Sequence, residues 1–527
     1  MGKFVGSLAS LLLLIGCLAA PGRASAELQC KMLGDIALTR ASVTKITVET
    51  LGEAKACKFN VTAKPTEDSD IRIEVWVPIG AAWNGKFVQV GNGGFAGQIP
   101  TGFLKAMAER GYAAAGTDDG HQTIQPTDAG WALGHPQKLE DYGWRAVKQT
   151  TDIAKMLILA QKGSGPAKSY FAGCSDGGRE ALMSAQRFPD DFDGIVAGAP
   201  AANFTHLLAT AAWTEQANLR APASYIGPPQ LAVLQAAALR QCGEGGIIRD
   251  PMSCRFDPGV TLCRPDQDSS SCLSAAQVAA ARAIYGGPRT PDGRRLFVGY
   301  TPGAEAAPGG WQTWITGPSY DNASSALIYQ FGSGFFQYMA FSDPTYDILR
   351  LSFGGEFQSA KARTSAALDA VNPNLRAFRA HGGKLIQYHG WNDAGIPALS
   401  SVVYYEDVRA KMGDVSDFYR LFMIPGMLHC GGGPGPGTVD WLSVLDTWVV
   451  RGVAPDQLTA TNAPSPYAPP PTEPVRPRSQ LICPYPQVAR RGLAPADSAM
   501  SCMWPVIEAP PAPKPGPAPR PKPKARR

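Results

Sequence analysis

The sequence predicts an α/β fold: a parallel sheet with helices on both faces, interrupted by an inserted segment. Three observations carry this. Apolar runs of strand length alternate with amphipathic runs of helix length from residue 71 to about 203. Between about 204 and 374 the alternation stops, and Gly, Pro, aromatic residues and four Cys take its place. It resumes after 375. Alternation of this kind is what crossover helices between parallel strands require.

In chain order, "IRIEVWVP" (71–78) and "KFVQVGNGGF" (86–95) read as strands, the second ending in a Gly-rich loop. "FLKAMAERGY" (103–112) has helical spacing and a stop at Gly111. "YAAAGTDDGH" (112–121) is a buried strand running into a polar loop, and 142–163 is a long amphipathic helix. "SYFAGCS" (169–175), the helix at 177–189 and "FDGIVAGAPA" (192–201) complete the first block. After the insertion, "GGKLIQYHGWND" (382–393) and "FYRLFMIPGMLHC" (418–430) are strands leading into loops, and 438–452 is a closing helix. The expected organisation is a leader at 1–26, a catalytic α/β domain from 27–203 and 375–510, an inserted domain at 204–374, and a Pro-rich basic tail at 511–527.

With 527 residues, 44% of them hydrophobic, the chain can bury a large core. Much of the net charge of +5 sits in the tail, and no basic stripe is interleaved with aromatics, so nucleic acid is excluded as the expected partner. Lys3, an apolar run and Ala24-Ser25-Ala26 form a secretory leader with an Ala-x-Ala cleavage site. The alternative is a lipoprotein box, Leu14-Ile15-Gly16-Cys17, acylated at Cys17. Either route leads to a secreted or periplasmic location, and no later segment reads as transmembrane. Ten of the eleven Cys lie beyond the leader, an even number that predicts disulfides in an oxidising compartment. No Cys-x-x-Cys pair is present to suggest zinc.

The chemistry is read from three loops at strand ends, where parallel sheets place functional groups. Gly173-Cys174-Ser175-Asp176-Gly177 is a Gly-x-Ser-x-Gly frame between a strand and a helix, the pattern of a nucleophile elbow. Asp393 follows the strand "KLIQYHGWN", and His429 follows "RLFMIPGML". Ser, then acid, then His is the α/β-hydrolase order. A Ser hydroxyl is a weak nucleophile, so His429 must take its proton and Asp393 must hold the imidazole tautomer. Backbone N–H groups of Asp176 and of Asn92 or Gly93, in the "GNGG" loop, are the candidate oxyanion donors. Asp118, Asp119 and Asp440 compete with Asp393, and His389 competes with His429 or lines the pocket.

"GCSDGGRE", "GWNDAGIP" and "PGMLHCGGG" together resemble the tannase and feruloyl esterase family, whose signature is a Cys-Ser pair, an Asp and a His-Cys pair. "WNGKFVQVGNGGFAG" (83–97), "TDDGH" (117–121), "FPDDFDGIVAGAPA" (188–201) and "LICPYPQ" (481–487) extend the resemblance over most of 28–505. It implies an α/β-hydrolase fold in which the inserted domain is a lid. It also implies disulfides Cys174–Cys430, Cys30–Cys57, Cys242–Cys254, Cys263–Cys272 and Cys483–Cys502. The first would tether the nucleophile loop to the base loop. Family members often carry a calcium loop, but here "QCGEGGIIRDPMSC" (241–254) has Gly where carboxylates belong. Glu244 and Asp250 are the calcium candidates left there; no cofactor is expected to be required, with a bound calcium as the alternative.

The resemblance implies a secreted serine carboxylesterase acting on esters of aromatic acids, free or attached to plant polysaccharide. Residues 310–341 are rich in Trp, Tyr and Phe, which suits a flat aromatic ligand, and Trp314 is the chosen pocket residue. Residues 296–349 contain no Lys or Arg, which weighs against an acyl group with a free carboxylate. A feruloyl-type hydroxycinnamate esterase is therefore the favoured reading. The alternatives are a tannase, a terephthalate half-ester hydrolase, an acyltransferase using the same triad, and a non-catalytic polyphenol- or carbohydrate-binding module.

Overall fold

The computed structural model describes residues 30–464, 477–491 and 500–504. The leader with Cys17 and the tail lie outside them. Nine strands form the main sheet: β1 (Ala41–Leu51), β2 (Ala54–Ala63), β3 (Ile71–Pro78), β4 (Lys86–Val90), β5 (Ala113–Thr117), β6 (Lys168–Cys174), β7 (Gly194–Gly198), β8 (Lys384–Gly390) and β9 (Tyr419–Ile424). Their spatial order is β1-β2-β3-β5-β4-β6-β7-β8-β9. From β5 through β9 every neighbouring pair is parallel, and β1, β2, β3 and β5 pair antiparallel. The all-parallel expectation is thus corrected to a mixed sheet. The β1–β2 hairpin was absent from the sequence reading, although Ile46 and Val48 alternate with polar residues in it.

The parallel strands are apolar on both faces because both faces are covered. Adjacent residues point opposite ways and enter two separate cores. Phe87, Leu385 and Leu421 join the first core, while their neighbours Val88, Ile386 and Phe422 join the second. The helices Ala146–Lys162, Asp176–Arg187 and Leu399–Met412 supply Leu157, Leu182 and Val408 to the first. The helices Thr101–Glu109 and Trp441–Arg451 supply Leu104, Leu445 and Trp448 to the second.

Residues 204–374 add no strand to this sheet. Although the strand–helix alternation stops there, they are largely helical, with Phe204–Leu219, Pro228–Cys242, Ala275–Gly286 and Gly355–Leu368 as the longest helices. They pack around Phe335, Phe336 and Phe357, in a core shared with Phe95, Tyr142 and Ile396, and around Leu234, Ile284 and Ile315. The five disulfides are the five that the resemblance implied. Among the described residues no helix is long and apolar enough to cross a membrane.

Candidate active site

β6 ends at Cys174, and the helix Asp176–Arg187 begins two residues later. Ser175 alone makes the turn, at φ 66° and ψ −120°. A non-Gly residue at positive φ is strained, and here the strain lifts the hydroxyl out of the sheet. The flanking glycines are required by close approach. A Cβ on Gly173 would stand 2.4 Å from the Gly177 carbonyl oxygen, and one on Gly177 would stand 2.7 Å from that of Asn92. The elbow is therefore packed directly against the β4 loop.

The loops after β6, β8 and β9 converge. His429 Nε2 accepts from Ser175 Oγ–H at 2.9 Å. His429 Nδ1–H donates to Asp393 Oδ2 at 2.7 Å. Asp393 is fixed by three further donors. Its Oδ1 accepts from Gly395 N–H and Ile396 N–H, both at 2.8 Å, and Oδ2 also accepts from His389 Nε2–H at 3.1 Å. Burial acts to raise the Asp393 carboxyl, but the His429 charge and the hydrogen bonds of both histidines outweigh it. The net effect holds it well below the usual carboxylate range.

The competing acids have other duties. Asp118 accepts from the backbone N–H of Arg72 and Gly120, and Asp440 caps the helix Trp441–Arg451. Asp119 sits in a separate buried group. His389 does not line a pocket, which corrects that expectation: it is fully buried behind Asp393, with Nδ1 accepting from Ser401 Oγ–H at 2.7 Å. A second correction concerns Asn92. Its backbone N–H donates to Glu180 Oε2 at 2.9 Å, so it has no N–H to offer a ligand. Gly93 and Asp176 keep theirs: neither N–H has a partner among the described residues, and both residues line the cavity in front of Ser175.

That cavity measures about 360 Å³. Its walls are Phe95, Phe103, Phe204, Leu208, Trp314, Phe331 and Ile396, with Ser175 and His429 at its floor. Trp314 packs edge-on against His429 at 4.8 Å between centroids and lies near-parallel to Phe331. A Cβ on Gly395 would stand 2.7 Å from the Trp314 ring, so this glycine lets the indole approach the acid loop. Among the described residues no Lys or Arg lines the cavity, and the one carboxylate that does, Asp176, is paired with Arg179 at 2.6 Å. Phe331 and Phe204 were missed individually, although Phe331 lies in the aromatic segment already singled out.

Cys174 and Cys430 are bonded, with Cα atoms 6.0 Å apart, beside Ser175 and the His429 imidazole. The stretch 241–254 does not fit calcium. Glu244 pairs with Arg249 at 3.3 Å and Asp250 with Arg490 at 3.2 Å. Two carboxylates already matched by guanidinium groups fall far short of six to eight oxygens.

The sheet order, the strained serine elbow and the loops that meet above it define the α/β-hydrolase class. A family model described as tannase and feruloyl esterase matches residues 57–502. The chain belongs to this family of carboxylic ester hydrolases. It is 36% identical to an uncharacterised esterase of Xanthomonas campestris pv. campestris, over 82% of this chain and 81% of the relative. It is 32% identical to the mono(2-hydroxyethyl) terephthalate hydrolase of Piscinibacter sakaiensis, over 80% and 79%. The solved structure of feruloyl esterase B from Aspergillus oryzae superposes with a TM-score of 0.79 at 27% identity, covering 90% of this chain and all of that one.

Proposed function

We propose that the protein is an exported esterase that cleaves feruloyl-type hydroxycinnamate esters through an acyl-enzyme on Ser175. One observation carries the reading. The Ser175–His429–Asp393 relay opens onto an aromatic, apolar cavity that offers no cation among the described residues. Ser175 Oγ attacks the ester carbonyl as its proton passes to His429 Nε2. Asp393, held ionised, stabilises the imidazolium. The N–H groups of Gly93 and Asp176 receive the oxyanion. The imidazolium then protonates the leaving alkoxide, and the alcohol departs. Water, deprotonated by His429, attacks the acyl-enzyme, and Ser175 recovers its proton as the free acid leaves.

Segment 204–374 serves as the lid, contributing Trp314, Phe331 and Phe204 to the acyl pocket. The alcohol side, whether a small alcohol or a polysaccharide hydroxyl, faces outward. Five disulfides fit folding in an oxidising compartment, reached by the leader at 1–26 or by acylation at Cys17.

The test is acyl selectivity. A terephthalate half-ester would bring a carboxylate into a cavity with no cation, and an unpaired buried charge costs several kcal/mol. Its kcat/KM should fall below that of methyl ferulate by at least about 100-fold. Equal rates on the two would overturn the feruloyl reading in favour of the terephthalate activity named for the Piscinibacter relative. A clear preference for methyl gallate would favour a tannase.

A further inference from the structure

Beneath the loop that carries Gly93 lies a buried group of carboxyls that the reaction scheme does not use. Asp119, Asp176 and Glu180 bring carboxylate oxygens within 4.8 Å of one another, and each residue is at most 2% exposed. Asp176 is neutralised. Arg179 Nε and Nη2 donate to it at 2.6 and 3.0 Å, and Tyr142 Oη–H donates at 2.9 Å. No cation bonds Asp119 or Glu180 directly among the described residues. They grip Asn92 instead. Glu180 Oε2 takes its backbone N–H at 2.9 Å, and Asp119 Oδ2 takes its side-chain Nδ2–H at 2.8 Å. Asp119 Oδ1 and Glu180 Oε1 are buried and receive no donor among the described residues.

Carboxyl oxygens within 4.8 Å of one another, away from water, strongly disfavour joint ionisation. One proton held between them removes the repulsion. Burial first, then the charge of Glu180, pushes the Asp119 carboxyl well above the usual range. The loop lies directly on the pair: a Cβ on Gly91 would stand 2.6 Å from Glu180 Oε2. The Asn92 carbonyl in turn accepts Gly177 N–H at 2.8 Å. Asn92 is thereby clamped by its N–H and carbonyl to the helix whose first N–H is that of Asp176, and by its side-chain amide to Asp119 and the Thr117 carbonyl.

We propose that Asp119 and Glu180 share one proton and act together as positioning residues for the oxyanion hole, holding Asn92 so that the next N–H, that of Gly93, faces the reacting carbonyl. This rests on the reading of Gly93 and Asp176 as oxyanion donors. The groups that face the pair are Asp176 and Arg179 from the nucleophile helix and Tyr142 from the turn before the helix Ala146–Lys162. On the Asp119 loop itself, Asp118 is bonded to Arg72 N–H and His121 to the Phe95 carbonyl. Arg179 is the one cation among these groups and is bonded to Asp176, so loss of the shared proton adds an uncompensated negative charge beside the oxyanion site. The device is intact while the proton is bound and fails as pH rises past its loss.

The test compares kcat and KM for methyl ferulate across pH in wild type, Asp119→Asn and Asp119→Ala, with Ser175→Ala as control. An Asn amide can donate to Glu180 and accept from Asn92, as the protonated Asp does. Asp119→Asn should keep kcat within about threefold at neutral pH and lose the alkaline decline of the wild type. Asp119→Ala should lower kcat by about 30- to 100-fold with KM little changed, less than outright loss of an oxyanion donor. An Asp119→Asn enzyme as impaired as Asp119→Ala, or with the wild-type alkaline decline, overturns the proposal while Ser175→Ala stays inactive. Should Asp119→Ala fail to fold, the wild-type and Asp119→Asn profiles still decide. Retained activity in Ser175→Ala would instead overturn the underlying reading of the site.

Discussion

Removing the Cys174–Cys430 bridge, as the double variant Cys174→Ala, Cys430→Ala, should injure catalysis more than folding. The bridge joins residues 256 apart in sequence, whereas the other four span 27, 12, 9 and 19. Loop-closure entropy for such a span is roughly 5 kcal/mol in the chain-entropy model. That is a large share of the 5–15 kcal/mol typical of a folded domain, yet it need not unfold one with four bridges left. Both sulfurs are buried, Cys174 at 4% and Cys430 at 8% exposure, so their Ala replacements expose no new polar group. The catalytic effect is positional. Cys174 precedes Ser175 and Cys430 follows His429, and the hydrogen bond between those two spans 2.9 Å. A displacement of about 1 Å can cost on the order of 100-fold in rate. The assay is kcat/KM on methyl ferulate at a temperature where circular dichroism shows the variant folded, beside its thermal midpoint. The expected result is a lower midpoint together with a fall in kcat/KM on the order of 100-fold. Full activity in the folded double variant would refute the positional role and leave only a structural staple.

Three further outcomes follow from the same geometry. Asp393→Asn should lower kcat by about 10⁴-fold, because an amide can no longer hold the imidazole tautomer, and steady-state kinetics on any accepted ester reads this. Trp314→Ala opens the cavity wall beside His429, and removing an aromatic wall should raise KM for methyl ferulate by about tenfold while p-nitrophenyl acetate is affected far less. Glu215 is buried with neither carboxylate oxygen partnered among the described residues, and burial raises its carboxyl well above the usual range. The folded protein then binds a proton the unfolded chain has released. Stability is full below the unfolded value of about 4.3 and is lost as pH rises toward the folded one. Thermal midpoints of Glu215→Gln should decline less with rising pH than those of wild type, and parallel curves would contradict this.

The strands that carry Ser175, Asp393 and His429 were legible because each is a short apolar run closed by Gly or Asp, covered on both faces. The elbow was legible because its glycines answer to steric contact with Asn92 and Gly177. The helices of 204–374 were not, because Ala-rich segments such as Phe204–Leu219 are buried on most sides and show no clean polar face. The β1–β2 hairpin was missed because Lys and Thr interrupt its apolar positions at the exposed end of the sheet. The duties of His389 and Asn92 depend on partners distant in sequence or on another element. His389 belongs to Asp393 and Ser401, and Asn92 belongs to Glu180 and Asp119. No local pattern announces such pairings. Nor did the cysteine count give the disulfide connectivity, which came from the family resemblance.

The central claim is that Ser175 is the nucleophile of an aromatic-acid esterase. The most direct measurement is the rate of ferulic acid release from methyl ferulate by wild type and by Ser175→Ala, both verified as folded. The account predicts turnover by the wild type and a loss of at least about 10⁴-fold in the variant, the scale seen when a serine hydrolase loses its nucleophile. A variant within tenfold of wild type would contradict it.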